Sequence, residues 1–96
     1  MAVVEVMIPT VLQKMVGGPR SVQAKGDTVG QVLKDLENNF PGLKGRITDQ
    51  QGKLNNFIII FLNDQDIRYK KELDTPLQEG DVLSILPAIA GGIFVL

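Results

Sequence analysis

Residues 28–40 read TVGQVLKDLENNF, and the rest of the chain organises around them. Thr28 and Gln31 have the Thr-x-x-Gln spacing of a capping box. In such a box a hydroxyl and a side-chain amide satisfy backbone N–H groups that the first helical turn leaves unpaired. Val29, Val32, Leu33, Leu36 and Phe40 recur at i, i+3, i+4, i+7 and i+11, one continuous apolar stripe. Lys34, Asp35, Glu37 and Asn38 fall away from it, and Pro41-Gly42 ends the helix. A stripe of this kind is expected to pack on a sheet, with no ligand role.

Upstream, Val3 to Ile8 places Val4, Val6 and Ile8 on one face and Val3, Glu5 and Met7 on the other, a strand closed by Pro9. Thr10 to Val16 reads as a semi-apolar loop running into the tight turn Gly17-Gly18-Pro19. Arg20 to Lys25 alternates with Val22 and Ala24 inward and pairs with the first strand. Downstream, residues 43–54 read as a polar, irregular connection turning at Asp49-Gln50-Gln51-Gly52. Phe57 to Leu62 is apolar on both faces, as a central strand is. Asn63-Asp64 turns the chain, Ile67-Arg68-Tyr69 reads as a short edge strand, and Val82 to Leu86 is a further central strand. The order is strand, strand, helix, strand, short strand, strand. It predicts an α+β fold of the β-grasp (ubiquitin-like) type, a mixed sheet of four to five strands with one main helix on one face. The first and last strands should lie side by side and parallel.

At 96 residues with 44% apolar content the chain is one small domain with one core. A formal net charge of −1 offers no electrostatic footprint for nucleic acid, and no apolar run spans a bilayer. Met1-Ala2-Val3-Val4-Glu5 lacks the basic start of a signal peptide, so a cytoplasmic location is expected. With no cysteine and no histidine, thiolate chemistry, sulfur-ligated metals and the commonest general base are excluded. Asp64 and Asp66 resemble the start of a calcium loop but lack its glycine and its closing glutamate, and they read as a solvated turn. Gly17-Gly18-Pro19 lacks the Lys-Ser/Thr of a phosphate loop. Neither a catalytic site nor a metal site is expected.

Two features are left for function. One helix covers only one sheet face, so Phe57, Ile59, Phe61, Leu86 and Met7 would leave an apolar patch for a partner, unless the 43–54 connection folds over it. The other feature is the tail. Residues 1–87 form the domain; residues 88–96 carry Gly91-Gly92 followed by Ile93-Phe94-Val95-Leu96. Two glycines let a backbone approach another protein closely. Equally, Gly-Gly is a turn dipeptide, and Ile93 to Leu96 would then be a last strand folding back.

Across nearly the whole length the chain resembles the sulfur carriers of the MoaD/ThiS group. The resemblance rests on Ile8-Pro9-Thr10, Gly26-Asp27-Thr28, Leu36-Glu37, Phe57 through Arg68, and above all Gly80-Asp81-Val82-Leu83-Ser84-Ile85-Leu86-Pro87-Ala88-Ile89-Ala90-Gly91-Gly92. It is most similar to the cysteine-biosynthesis branch, then to the molybdopterin branch; a thiamin-type carrier is a further alternative. The resemblance implies that Gly92 carries the sulfur as a thiocarboxylate, after activation by an adenylating enzyme that uses ATP. It also implies that Gly91 gives steric access and that Pro87, Ala88, Ile89 and Ala90 supply reach. The chain itself would bind no cofactor, and a sulfur-accepting synthase would be a second partner. Typical carriers end at Gly-Gly. Here Ile93–Leu96 follow, so the resemblance implies a pro-form cut between Gly92 and Ile93, as by a JAMM-type metalloprotease. The alternative is a ubiquitin-like interaction module with a docked tail and no carrier chemistry.

Overall fold

The computed structural model describes the backbone of residues 1–90 and 93–94, and side chains through Ala88. The sheet has five strands: β1 (Ala2–Met7), β2 (Ser21–Gly26), β3 (Ile58–Leu62), β4 (Gln65–Asp66) and β5 (Val82–Pro87). Their spatial order is β2-β1-β5-β3-β4. β1 and β5 are parallel, with Met7 opposite Ser84, and the other neighbours are antiparallel. The expected β-grasp architecture, with the first and last strands adjacent, is what forms.

The helix α1 (Val29–Asn39) lies where its stripe predicts, with Val29, Val32, Leu33 and Leu36 buried. Its cap differs in one detail. The Thr28 hydroxyl accepts from the Gln31 N–H (3.3 Å), but the Gln31 side chain reaches back one residue further and accepts from the Asp27 N–H (2.7 Å). Inward alternation of Val4, Val6, Ile58, Ile60, Leu62, Leu83 and Ile85 supplies the facing layer. Each such fully buried aliphatic side chain contributes ~1.5–3 kcal/mol relative to exposure. The helix also packs tightly on the chain beyond its start: a Cβ on Gly30 would sit 3.2 Å from the Leu73 carbonyl oxygen.

Three local readings are corrected. Thr10–Val16 is not a loop but a seven-residue 3-10 helix that drives Leu12 and Val16 into the core and ends at left-handed Gly17. Residues 43–54 do turn at Asp49–Gly52, yet Leu43 and Ile47 are fully buried with the helix stripe. Those two side chains therefore seal the helix side of the sheet, not its open face. Ile67–Tyr69 is a 3-10 turn, and the edge strand is the pair Gln65–Asp66. Ile67 points into the core as a single apolar side chain, so it needs no strand to bury it.

The connection is tied to α1 by an uncommon contact. Glu37 is only 9% exposed, and both of its carboxylate oxygens accept from the Thr48 hydroxyl (2.8 and 2.9 Å), with the Thr48 N–H at 3.4 Å. A buried carboxylate without such donors would be costly.

Candidate functional site at the root of the tail

β5 lies between β1 and β3, so the tail springs from the middle of the sheet. Its last residue, Pro87, pairs with Ile58 beyond the point where β1 stops pairing, so the missing proline N–H costs no ladder bond to β1. The Ala88 N–H then donates to the Phe57 carbonyl (2.9 Å), which holds one more residue against β3. From there Ile89–Ala90 (β6) pairs antiparallel with Ile93–Phe94 (β7), in register Ile89↔Phe94 and Ala90↔Ile93. This two-stranded ladder is separate from the main sheet, so among the described residues the extension adds no strand to it. Gly91 and Gly92, expected to give access and to carry the sulfur, lie outside the described residues, as do Val95 and Leu96.

The open face brings the expected partner residues together. Leu86 sits opposite Ile59, while Phe61 and Met7 flank Ser84 from the two neighbouring strands. Phe57, at the foot of β3, is 47% exposed and Leu86 is 41% exposed; Ile59, Phe61 and Met7 are half-buried. The β2 side of this face is polar, with the Ser21 hydroxyl donating to Glu5 (3.2 Å). An apolar strip beside a polar rim leads directly to the tail.

A second feature was not read from the sequence. Beside Ala88 lies a cleft of about 490 Å³ walled by Leu54, Ile58, Ile67 and Leu73. Lys53, Arg68 and Glu72 also line it. Glu72 holds a left-handed backbone (φ 52°), unusual for a residue with a side chain. The reading of Asp66 as part of a solvated turn is also corrected, because Asp66 is buried. One of its oxygens accepts the Arg68 N–H (2.9 Å); the other accepts Arg68 Nε (3.0 Å) and Nη2 (2.7 Å). The Arg68 guanidinium, helped by that backbone N–H, holds the Asp66 carboxyl below the usual carboxylate range. Among the described residues no three acidic side chains converge as metal ligands. No helix of the described residues is long and apolar enough to cross a membrane.

The family model described as "ThiS family" matches residues 6–92. The chain belongs to the ThiS family. It is 47% identical over 91 residues to the sulfur carrier protein CysO of Mycobacterium tuberculosis, covering 93% of this chain and 98% of that one. The crystal structure of M. tuberculosis CysO superposes with a TM-score of 0.83 over 90% of this chain and 99% of that one, at 45% identity. A chain in the crystal structure of the Amycolatopsis orientalis BexX/CysO complex gives a TM-score of 0.84 at 44% identity, covering 93% and 99% of the two chains. The solution structure of small archaeal modifier protein 1 from Methanosarcina acetivorans gives a TM-score of 0.85 at 31% identity, covering 96% and 98%. This chain is thus a homologue of CysO and shares its ubiquitin-like fold. Proteins of this kind are small carriers, and the chain is not an enzyme.

Proposed function

We propose that this chain is the precursor of a sulfur carrier that acts in cysteine biosynthesis. A protease of the JAMM metalloprotease type hydrolyses the Gly92–Ile93 bond and frees the Gly92 carboxylate. An adenylating partner then joins that carboxylate to the adenylyl group of ATP, releasing pyrophosphate. Sulfide, or a persulfide followed by reduction, displaces AMP to leave a thiocarboxylate. The sulfur passes to the substrate of a synthase, and the carrier contributes recognition and reach. Phe57, Ile59, Phe61, Leu86 and Met7 form the surface that partners grip, while Pro87 to Gly91 thread the partner's channel. ATP belongs to the partner's site, and the carrier needs no bound cofactor.

The observation that carries this reading is the likeness to CysO over 93% of the chain, together with a family match that runs to residue 92 and leaves Ile93–Leu96 outside it. That CysO has been crystallised in complex with BexX supports a mode of action through protein partners.

The test is ATP–pyrophosphate exchange by the adenylating partner on two chains, one ending at Leu96 and one at Gly92. Exchange with the shorter chain alone is expected, and equal exchange with both would refute the pro-form. Intact mass spectrometry of the protein from its own cells supplies the second readout. A species ending at Gly92 with one oxygen replaced by sulfur is the expected product.

A further inference from the structure

The two edges of the sheet are finished differently. At the β2 edge the Lys25 N–H donates to the Asp35 carboxylate (2.9 Å), a charge that an added strand would have to displace. At the other edge β4 is only two residues long and pairs with Phe61 and Leu62. Among the described residues, Ile58 to Ile60 therefore have β5 on one side and no strand on the other. Backbone alternation decides which groups face outward. The Phe57 carbonyl accepts from the Ala88 N–H and the Asn63 N–H donates to the Val82 carbonyl, so odd-numbered residues of β3 turn their backbone groups toward β5 and even-numbered ones turn theirs away. The Ile58 N–H is met by the Asn55 carbonyl (3.0 Å). The Ile67 carbonyl, which a longer β4 would offer to Ile60, accepts instead from the Lys70 N–H (3.0 Å). The Ile58 carbonyl and the Ile60 N–H are left as an outward acceptor and donor with no strand opposite them.

This edge borders the cleft beside Ala88, which Ile58 and Ile59 line. We propose that the cleft takes an extended segment of a partner protein, which adds antiparallel to β3 as a further strand. Main-chain groups on a free edge are matched by another main chain, and the walls supply side-chain selection. Residues of the segment opposite Ile58 and Ile60 turn their side chains to the same face, where Leu54, Ile67 and Leu73 form an apolar wall. At about 490 Å³ the space holds a few such side chains. Charge sets the polarity of the segment. Arg68 is engaged with Asp66, whereas Lys53, just ahead of β3, makes no ion pair among the described residues. Glu72 stands on the 67–73 wall and disfavours an acid there. The segment is therefore apolar along the cleft, with a carboxylate at its C-terminal end beside Lys53. Nothing in this depends on sulfur, so the proposal stands or falls apart from the carrier reading.

The probe is the capped peptide acetyl-Val-Thr-Val-Thr-Glu-amide, titrated into the full chain and followed by amide and methyl NMR. Saturable shifts are expected at Leu54, Ile58, Ile60 and Leu73, and hydrogen exchange at the Ile60 amide should slow severalfold. N-methylation of the peptide's central valine blocks main-chain pairing but keeps its side chains, and should weaken binding about tenfold. Lys53→Glu should weaken the peptide severalfold and favour a version ending in lysine. Absence of saturable shifts at the cleft would overturn the proposal. Equal binding of the N-methylated peptide, or unchanged exchange at Ile60, would overturn strand addition. Cleft shifts that grow with protein concentration alone would overturn the partner segment, because a second copy would then be the occupant. Indifference of Lys53→Glu to the peptide's charge would overturn the assigned polarity.

Discussion

Thr48→Val tests whether the buried Glu37 contact holds the 43–54 connection onto the helix. The substitution keeps the shape of the side chain and removes the hydroxyl that Glu37 accepts at 2.8 and 2.9 Å. The carboxylate, 9% exposed, is left with one long backbone donor at 3.4 Å. A hydrogen bond to a charged group contributes about 1.5–3 kcal/mol, so a loss of about 2 kcal/mol is expected. For a domain of 96 residues that lowers Tm by about 8–16 °C. Urea unfolding should show a lower midpoint at unchanged slope. The control is the double variant Glu37→Met with Thr48→Val, in which an apolar pair fills the same space. If the cost of the single variant comes from an orphaned carboxylate, the double variant recovers most of it. A single variant within about 0.5 kcal/mol of the parent would refute the reasoning, since that is the spread of ordinary surface changes. A double variant no better than the single one would refute it as well.

Gly26→Ala places a Cβ 2.7 Å from the Val32 nitrogen and 3.0 Å from the Gln31 carbonyl carbon, which are backbone atoms that cannot swing aside. A loss of about 1–3 kcal/mol in urea unfolding is expected. Asp66→Asn removes a carboxylate whose folded pKa is depressed by Arg68. The parent's advantage over this variant should be full above the unfolded Asp pKa of about 3.9 and fade as pH falls below it, read from unfolding midpoints across pH 2–7. A pH-independent difference would mean that the charge is not what stabilises. Leu86→Lys, at a 41% exposed position, should leave stability within about 1 kcal/mol but weaken capture by the adenylating partner about tenfold or more in calorimetry.

Long periodic segments were legible in the sequence because one physical rule governed each of them. Val4, Val6 and Ile8 alternate, the 28–40 stripe follows helical spacing, and the parallel placement of the first and last strands side by side follows from the order of the elements. Isolated apolar residues in polar company were not legible. Leu43 and Ile47 carry no periodicity, and the segment that buries them is tied down at Thr48 by a helix residue eleven positions earlier. Asp66 looked like a turn residue because the arginine that buries it stands two positions on, where spacing rules give no signal. At the site, the tail was visible through its glycines and the open face through the two-sided apolar run. The cleft was not, because residues 53–58, 67–73 and 88 meet only through the fold.

The position of β5 also governs when the chain can fold. It sits between β1 and β3, yet it is the last of the five strands to leave the ribosome. Until it emerges, β1 with β2 and β3 with β4 are two separate hairpins with no shared ladder. Closing the sheet joins residues some eighty positions apart, Glu5 with Val82 among them, and such distant pairings are slow to find. Closure of the sheet therefore waits for β5. The tail on which the proposed chemistry would take place is fastened to the element that completes the domain, so a chain whose sheet has not closed would have no firm base from which to present its glycines.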